Sequence, residues 1–323
     1  MRVLVVGAGA VGQVYGRHLR LGGAEVTFFV REKYRAEALR GFTMYALNRS
    51  GAGKTERLRF TELAAISSTK EITQPFDQVW LTVSSPALQG AWLPELAAAT
   101  GPDAIYVMLQ PGLEDRRVVE DAGVPSPRIV AGVISMISYH APLPGETRFP
   151  EPGMAYWFPP GAPTMLSGER ARSVVDALRA GKCPAKVHRD AQAFALFPSA
   201  IMHAYLVALE ASGWKFRALF GGSFSKLAAQ GSREALAALS ASTKRRVPFA
   251  MRLVARKTTI RTAMWFARRV VPLPLETYFE AHFTKVGDQT REFMSSFIAL
   301  GKQHGTPVGA MHELVAALPE STS

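Results

Sequence analysis

Arg2-Val3-Leu4-Val5-Val6-Gly7-Ala8-Gly9-Ala10-Val11-Gly12 places an apolar, β-branched run directly before three glycines at GxGxxG spacing, and helical character follows to about residue 21. In that strand–turn–helix context each glycine has a separate task. The first permits the tight turn, the second lets backbone approach a pyrophosphate, and the third lets the helix pack closely on the sheet so that its amides and dipole face the phosphates. Gly7, Gly9, Ala10, Val11 and Gly12 are therefore the expected cofactor-binding turn.

Strand-like runs recur at 25–30, 78–83, 105–109 and 129–136, separated by helical segments, which is the pattern of parallel βαβ units. A hairpin is expected at 42–47 and 58–60 around the turn Asn48-Arg49-Ser50-Gly51, and Pro- and Gly-rich loops with antiparallel edge strands at 139–163. After a helix at 168–180 and a brief strand at 185–188 the periodicity becomes wholly helical, with helices expected at 190–213, 222–229, 231–243, 248–270, 275–303 and 308–317. The fold class is α/β: a doubly wound, Rossmann-type N-terminal domain over 1–189, followed by an all-helical domain over 190–323. Two domains also suit 323 residues, and a cleft between them is the default ligand position.

The end of the second strand distinguishes the cofactors. An NAD site places an acidic residue there for the ribose hydroxyl, whereas this chain reads Phe28-Phe29-Val30-Arg31-Glu32-Lys33. Arg31 and Lys33 suit a 2′-phosphate, so NADP(H) is the expected cofactor, with Glu32 able to turn inward as the competing reading. Ser84, Ser85 and Gln110 stand at the carboxyl ends of parallel strands and join the expected cofactor contacts. The P-loop-like Gly51-Ala52-Gly53-Lys54-Thr55 lacks the required first glycine, since Asn48 stands there, and reads as a hairpin tip.

Composition restricts the alternatives. The single cysteine, Cys183, cannot form an intrachain disulfide, and the chain opens on a strand instead of a leader, so the expected location is the cytoplasm. The apolar run at 194–209, interrupted by Pro198 and His203, reads as too short to span a bilayer. No metal-ligand cluster has useful spacing. The net charge of +12 is concentrated: no acidic residue lies between Glu234 and Glu276, whereas Lys244, Arg245, Arg246, Arg252, Arg256, Lys257, Arg261, Arg268 and Arg269 do. A domain helix with one solvated face is the preferred reading of that segment over a membrane surface, and nucleic acid is not expected.

The GAGAVG turn, the arginine closing the second strand, Leu81-Thr82-Val83-Ser84-Ser85, Val107-Met108-Leu109-Gln110-Pro111-Gly112-Leu113 and the C-terminal Gly301-Lys302-Gln303-His304-Gly305-Thr306-Pro307-Val308 together resemble the ketopantoate reductase family. The resemblance covers nearly the whole chain and implies NADPH-dependent reduction of a carbonyl. It also locates departures. The family's lysine after the fourth strand is Ser84 here, its Asn-Gly is Pro111-Gly112, and its substrate-binding glutamate maps to Gln289. Its catalytic lysine belongs near Ala195 or Leu196, yet no lysine lies between Lys186 and Lys215.

Ketone reduction needs a proton donor for the developing alkoxide and groups that orient the substrate. Ser199 and His203, four residues apart, share a helix face, and His282, Lys285, Gln289 and Glu292 recur at spacings of three and four. His203 and Lys285 are the expected catalytic pair, one the proton donor and the other an anion-binding cation, with Ser199 and Gln289 binding a 2-oxo acid or ketone. The bland readings are a core histidine and a solvated stripe. A dinucleotide-binding sensor that has lost the chemistry is the alternative function, and a homodimer through the helical domain is compatible with either.

Overall fold

Arg2–Val6 is β1, and Val3, Leu4 and Val5 are all fully buried, so this strand is covered on both faces as parallel sheets require. Its side chains alternate: Val3 and Val5 enter one core, Leu4 and Val6 another. The computed structural model describes residues 1–47, 55–110, 112, 114–285 and 287–319, with only the backbone of Lys285 and Gln289. The expected turn at 48–51 and the glycine-rich 51–54 lie outside those residues, as do Pro111 and Leu113.

The chain divides into two compact units, Met1–Gln192 and Ala193–Ser323. In the first, β1, α1 (Ala10–Leu21), β2 (Glu25–Phe29), α2 (Arg35–Leu39), β3 (Phe42–Ala46), β4 (Glu56–Phe60), β5 (Ala64–Ile66), β6 (Gln78–Leu81), α3 (Ser85–Leu88), α4 (Trp92–Ala99) and β7 (Ile105–Met108) follow in order. Then come α5 (Asp115–Asp121), β8 (Ile129–Val133), β9 (Ile137–Ala141), β10 (Gly153–Trp157), β11 (Thr164–Ser167), α6 (Ala171–Ala180) and β12 (Ala185–Val187). Eight strands form the main sheet in the order β12-β11-β8-β7-β6-β1-β2-β5, parallel except where β11 meets β8. A second sheet, β4-β3-β10-β9, pairs β3 and β10 in parallel. β5 and the β3–β10 pairing were not expected, because a three-residue strand and a pairing between distant segments leave no local periodicity.

The second sheet joins the core that holds α1. The His18 ring of α1 meets Tyr156 and Phe158 edge-on, and its Nδ1 donates to the Gly181 carbonyl at 2.7 Å. Cys183 is buried, and burial pushes its thiol up to about 12, so it is an inert core group.

The second unit is helical among its described residues. α7 (Ala191–Ala211) enters it, and α8 (Phe216–Gly221), α9 (Phe224–Thr243), α10 (Phe249–Val254), α11 (Lys257–Val270), α12 (Leu275–Lys285), α13 (Gly287–Gln303) and α14 (Gly309–Ala316) follow. α7 is a single helix of 21 residues with Pro198 inside it, long and apolar enough by length and composition to cross a membrane, although 56% of its apolar window is buried within the protein. α9 is continuous through Gly231, where two helices, 222–229 and 231–243, were expected. A Cβ there would meet Leu314 Cδ1 at 2.7 Å, so Gly231 serves close packing against α14 instead of a turn. The expected helix over 248–270 is two helices divided at an extended Arg256, and neither contributes a buried residue.

Buried Glu234 of α9 receives the amides of Ala310 and Met311 at 3.1 and 3.0 Å, capping α14 from a neighbouring helix. Glu234→Ala strands two buried donors and is expected to cost about 2–4 kcal/mol, with Glu234→Gln restoring part. Urea denaturation of the three proteins measures this.

Candidate functional site

The glycine turn lies where the chain leaves β1 toward β2 on one side and, later, β6 on the other. This reversal of strand order is the position at which open α/β sheets bind ligands beyond their carboxyl ends. Gly7 has φ +97°, a conformation that disfavours side chains, and its amide donates to Phe29 O at 3.0 Å. A Cβ on Gly12 would stand 2.1 Å from Gly7 O, so the start of α1 is pressed against the turn. Gly9 is the opposite case. It is exposed, caps α1 with no side-chain hydrogen bond, and a Cβ built on it meets nothing within 4 Å. Open space thus lies above a helix start whose first amides have no partner within the helix.

Thr82, which the sequence reading passed over, holds this turn: its hydroxyl is 2.8 Å from Val6 O and 3.0 Å from Gly7 O. A polar residue ending the apolar β6 was the available signal.

Beyond β2, Arg31 and Lys33 are exposed and both lie over the Tyr34 ring, at 5.1 and 5.0 Å from its centroid. Glu32 does not turn toward this pair. Its carboxylate accepts the Ser67 hydroxyl and stands 3.9 Å from Arg35, which itself binds Glu71 at 2.6 Å. The edge is therefore a cationic and aromatic surface with its one carboxylate engaged elsewhere.

At the ends of β6 and β7 the expected contacts separate. Ser84 is exposed and caps α3 without using its hydroxyl on the helix. Ser85 and Gln110 differ from expectation because their polar atoms are committed within the protein. Ser85 donates to Asp115 at 2.7 Å, and the same carboxylate oxygen takes the Gly112 amide at 2.6 Å. The buried Gln110 amide donates to Leu81 O and Val83 O at 2.9 and 2.7 Å and accepts from the Leu109 amide at 3.1 Å, tying the two strand ends together.

In the helical unit, Ser199 and His203 do meet, but in the core. His203 Nδ1 is 2.8 Å from Ser199 O and 3.1 Å from its Oγ, and the ring lies 4.3 Å from that of Phe293 on α13. A carbonyl only accepts, so Nδ1 carries the proton. Burial lowers the imidazole pKa to about 4, leaving it neutral at physiological pH and removing it from the role of cation or proton donor. The expected catalytic histidine is thus corrected to a residue that joins α7 to α13. Lys285 ends α12 and Gln289 lies in the first turns of α13, and their side chains are outside the described residues.

The same burial has a consequence for stability. The folded imidazole stays neutral down to about pH 4, whereas the unfolded one takes a proton below its ordinary 6.5. Stability is unaffected above pH 6.5 and falls between pH 6.5 and 4, by about 3 kcal/mol from this group. Denaturation of wild type and His203→Phe at neutral and acid pH should show the loss smaller by about that amount in the variant.

The helical unit also contains an apolar cavity of about 260 Å³ between α7, α8, α10, α11 and α12, with Tyr205, Phe216, Met251 and Met264 among its walls.

Residues 3–160 match the family model described as ketopantoate reductase PanE/ApbA. They form a ketopantoate reductase PanE/ApbA family domain. Around it the fold likeness extends over the whole chain. A 2-dehydropantoate 2-reductase from Geobacter metallireducens GS-15 superimposes with TM-score 0.71 at 17% identity, covering 100% of both chains. D-mandelate dehydrogenase, solved with NADH and anilino(oxo)acetate, gives TM-score 0.73 at 14% identity over 98% of this chain and 96% of the other. Part of the chain is also 33% identical over 135 residues to a glycerol-3-phosphate dehydrogenase [NAD(P)+] from Parafrankia sp. (strain EAN1pec), a match that covers 40% of this chain and 39% of that protein. The chain is thus similar in fold to these reductases and dehydrogenases, and its glycine turn is the part whose geometry suits a dinucleotide.

Proposed function

We propose that this chain is an NADPH-dependent oxidoreductase that reduces a small carbonyl compound, a 2-oxo acid or ketone. The observation that carries the reading is the open space above Gly9, at the uncapped start of α1 and at the reversal of strand order. Gly7, Gly9, Ala10, Val11 and Gly12 hold the diphosphate through backbone alone. Arg31, with Lys33, takes the 2′-phosphate, and Tyr34 between them offers a ring face to the adenine. Ser84 contacts the cofactor directly, while Ser85 and Gln110 act by fixing the strand ends that carry it.

A reduced nicotinamide, when bound, supplies the hydride. Lys285 provides the positive charge beside the substrate oxygen and the proton that the resulting alkoxide takes up. Gln289 hydrogen-bonds the substrate, and Ser199 and His203 hold the helices that carry these groups in place.

Turnover of NADPH with a panel of 2-oxo acids and ketones, followed by loss of its absorbance, tests the reading. Reduction of at least one, lowered about a hundredfold or more in Lys285→Ala, supports it. Tight NADPH binding with no carbonyl reduced favours the sensor instead.

A further inference from the structure

We propose that the α10–α11 segment docks on an anionic lipid bilayer, a property separate from the oxidoreductase reading. Three observations meet there. The sequence holds nine basic residues and no acidic one between Glu234 and Glu276. Neither helix has a buried residue, and large apolar side chains face outward: Phe249 is 75% exposed, Trp265 53%, Phe266 56% and Val270 62%. Thr262, Trp265, Phe266 and Arg269 follow the i, i+3, i+4, i+7 spacing, so the aromatic rings and a guanidinium share one helix face.

That face is not left over from packing. The inward side chains, Met251 and Val254 of α10 and Ile260 and Met264 of α11, line the apolar cavity on the other side. Arg269 stacks over the Trp265 ring at 3.5 Å from its centroid and donates to the Trp265 carbonyl at 2.9 Å.

The charge selects the occupant. A second copy of the same face would bring like charges together, whereas acidic head groups neutralise them. Exposed Phe249 and Val270 would find no apolar partner along a duplex phosphate backbone, and they find one at the acyl boundary, where Trp and Arg also settle.

Co-sedimentation of the full chain with phosphatidylglycerol–phosphatidylcholine vesicles, and with phosphatidylcholine alone, tests this at low and high salt. Expected are binding to the anionic vesicles only, weakening with salt, and a loss of about thirtyfold in Arg268→Gln/Arg269→Gln. Trp265→Ser/Phe266→Ser should lose binding by at least about tenfold while keeping the wild-type melting temperature. Quenching of tryptophan fluorescence by brominated lipid, absent in Trp265→Phe, supports insertion of this face. The proposal is overturned by failure to bind anionic vesicles, or by binding that both double variants retain. It is equally overturned if the wild type is a dimer that the serine variant disperses while vesicles are ignored, or if duplex DNA competes the protein off the vesicles.

Discussion

Gly9→Ala is expected to lower NADPH affinity by at least about a hundredfold, or about 3 kcal/mol, while costing the free protein no more than about 1 kcal/mol. The argument is geometric. The added methyl meets no protein atom within 4 Å, and φ at this residue is −72°, so neither contact nor backbone opposes it. What it does enter is the space assigned to the diphosphate. Gly12→Ala provides the contrast, because its methyl would sit 2.1 Å from Gly7 O and 2.7 Å from Thr82 Oγ1 and must displace the start of α1. That variant should lose about 1–3 kcal/mol of stability before any cofactor is added. Thermal denaturation beside fluorescence titration separates the two. If Gly9→Ala binds NADPH as wild type does, the diphosphate does not lie over α1.

Arg31→Glu is expected to reduce NADPH affinity about a thousandfold, near 4 kcal/mol, and to change NADH affinity less than about tenfold. The guanidinium is exposed and lies against Tyr34, an arrangement that leaves its charge available to a phosphate. Reversing that charge removes charged hydrogen bonds and sets a carboxylate against the dianion. Glu32 cannot take over the opposite role for NADH while its carboxylate is held by Ser67 beside Arg35. Parallel titrations with the two cofactors read the ratio, and equal losses for both would show that Arg31 contributes to folding and not to the choice between them.

The glycine turn and the parallel sheet were legible because each rests on local chemistry. Consecutive burial of Val3, Leu4 and Val5 demands an apolar run, and the 2.1 Å approach at Gly12 demands glycine. What escaped were interactions between segments far apart in sequence. Gln110 was read as a ligand contact because it ends a strand, but its amide closes onto Leu81 and Val83 of the adjacent one. His203 was read as catalytic because its helix face is polar at a four-residue spacing, yet α13 brings Phe293 and Phe297 over its ring. Such burial depends on the partner helix, which no pattern within α7 reveals.

The central claim is that the first turn of the chain holds a dinucleotide and that the edge beyond β2 prefers its phosphorylated form. Isothermal calorimetry of the purified protein with NADPH and with NADH tests it most directly. The account predicts one site per chain and at least about tenfold tighter binding of NADPH. Absence of heat with either cofactor, or tighter binding of NADH, would contradict it.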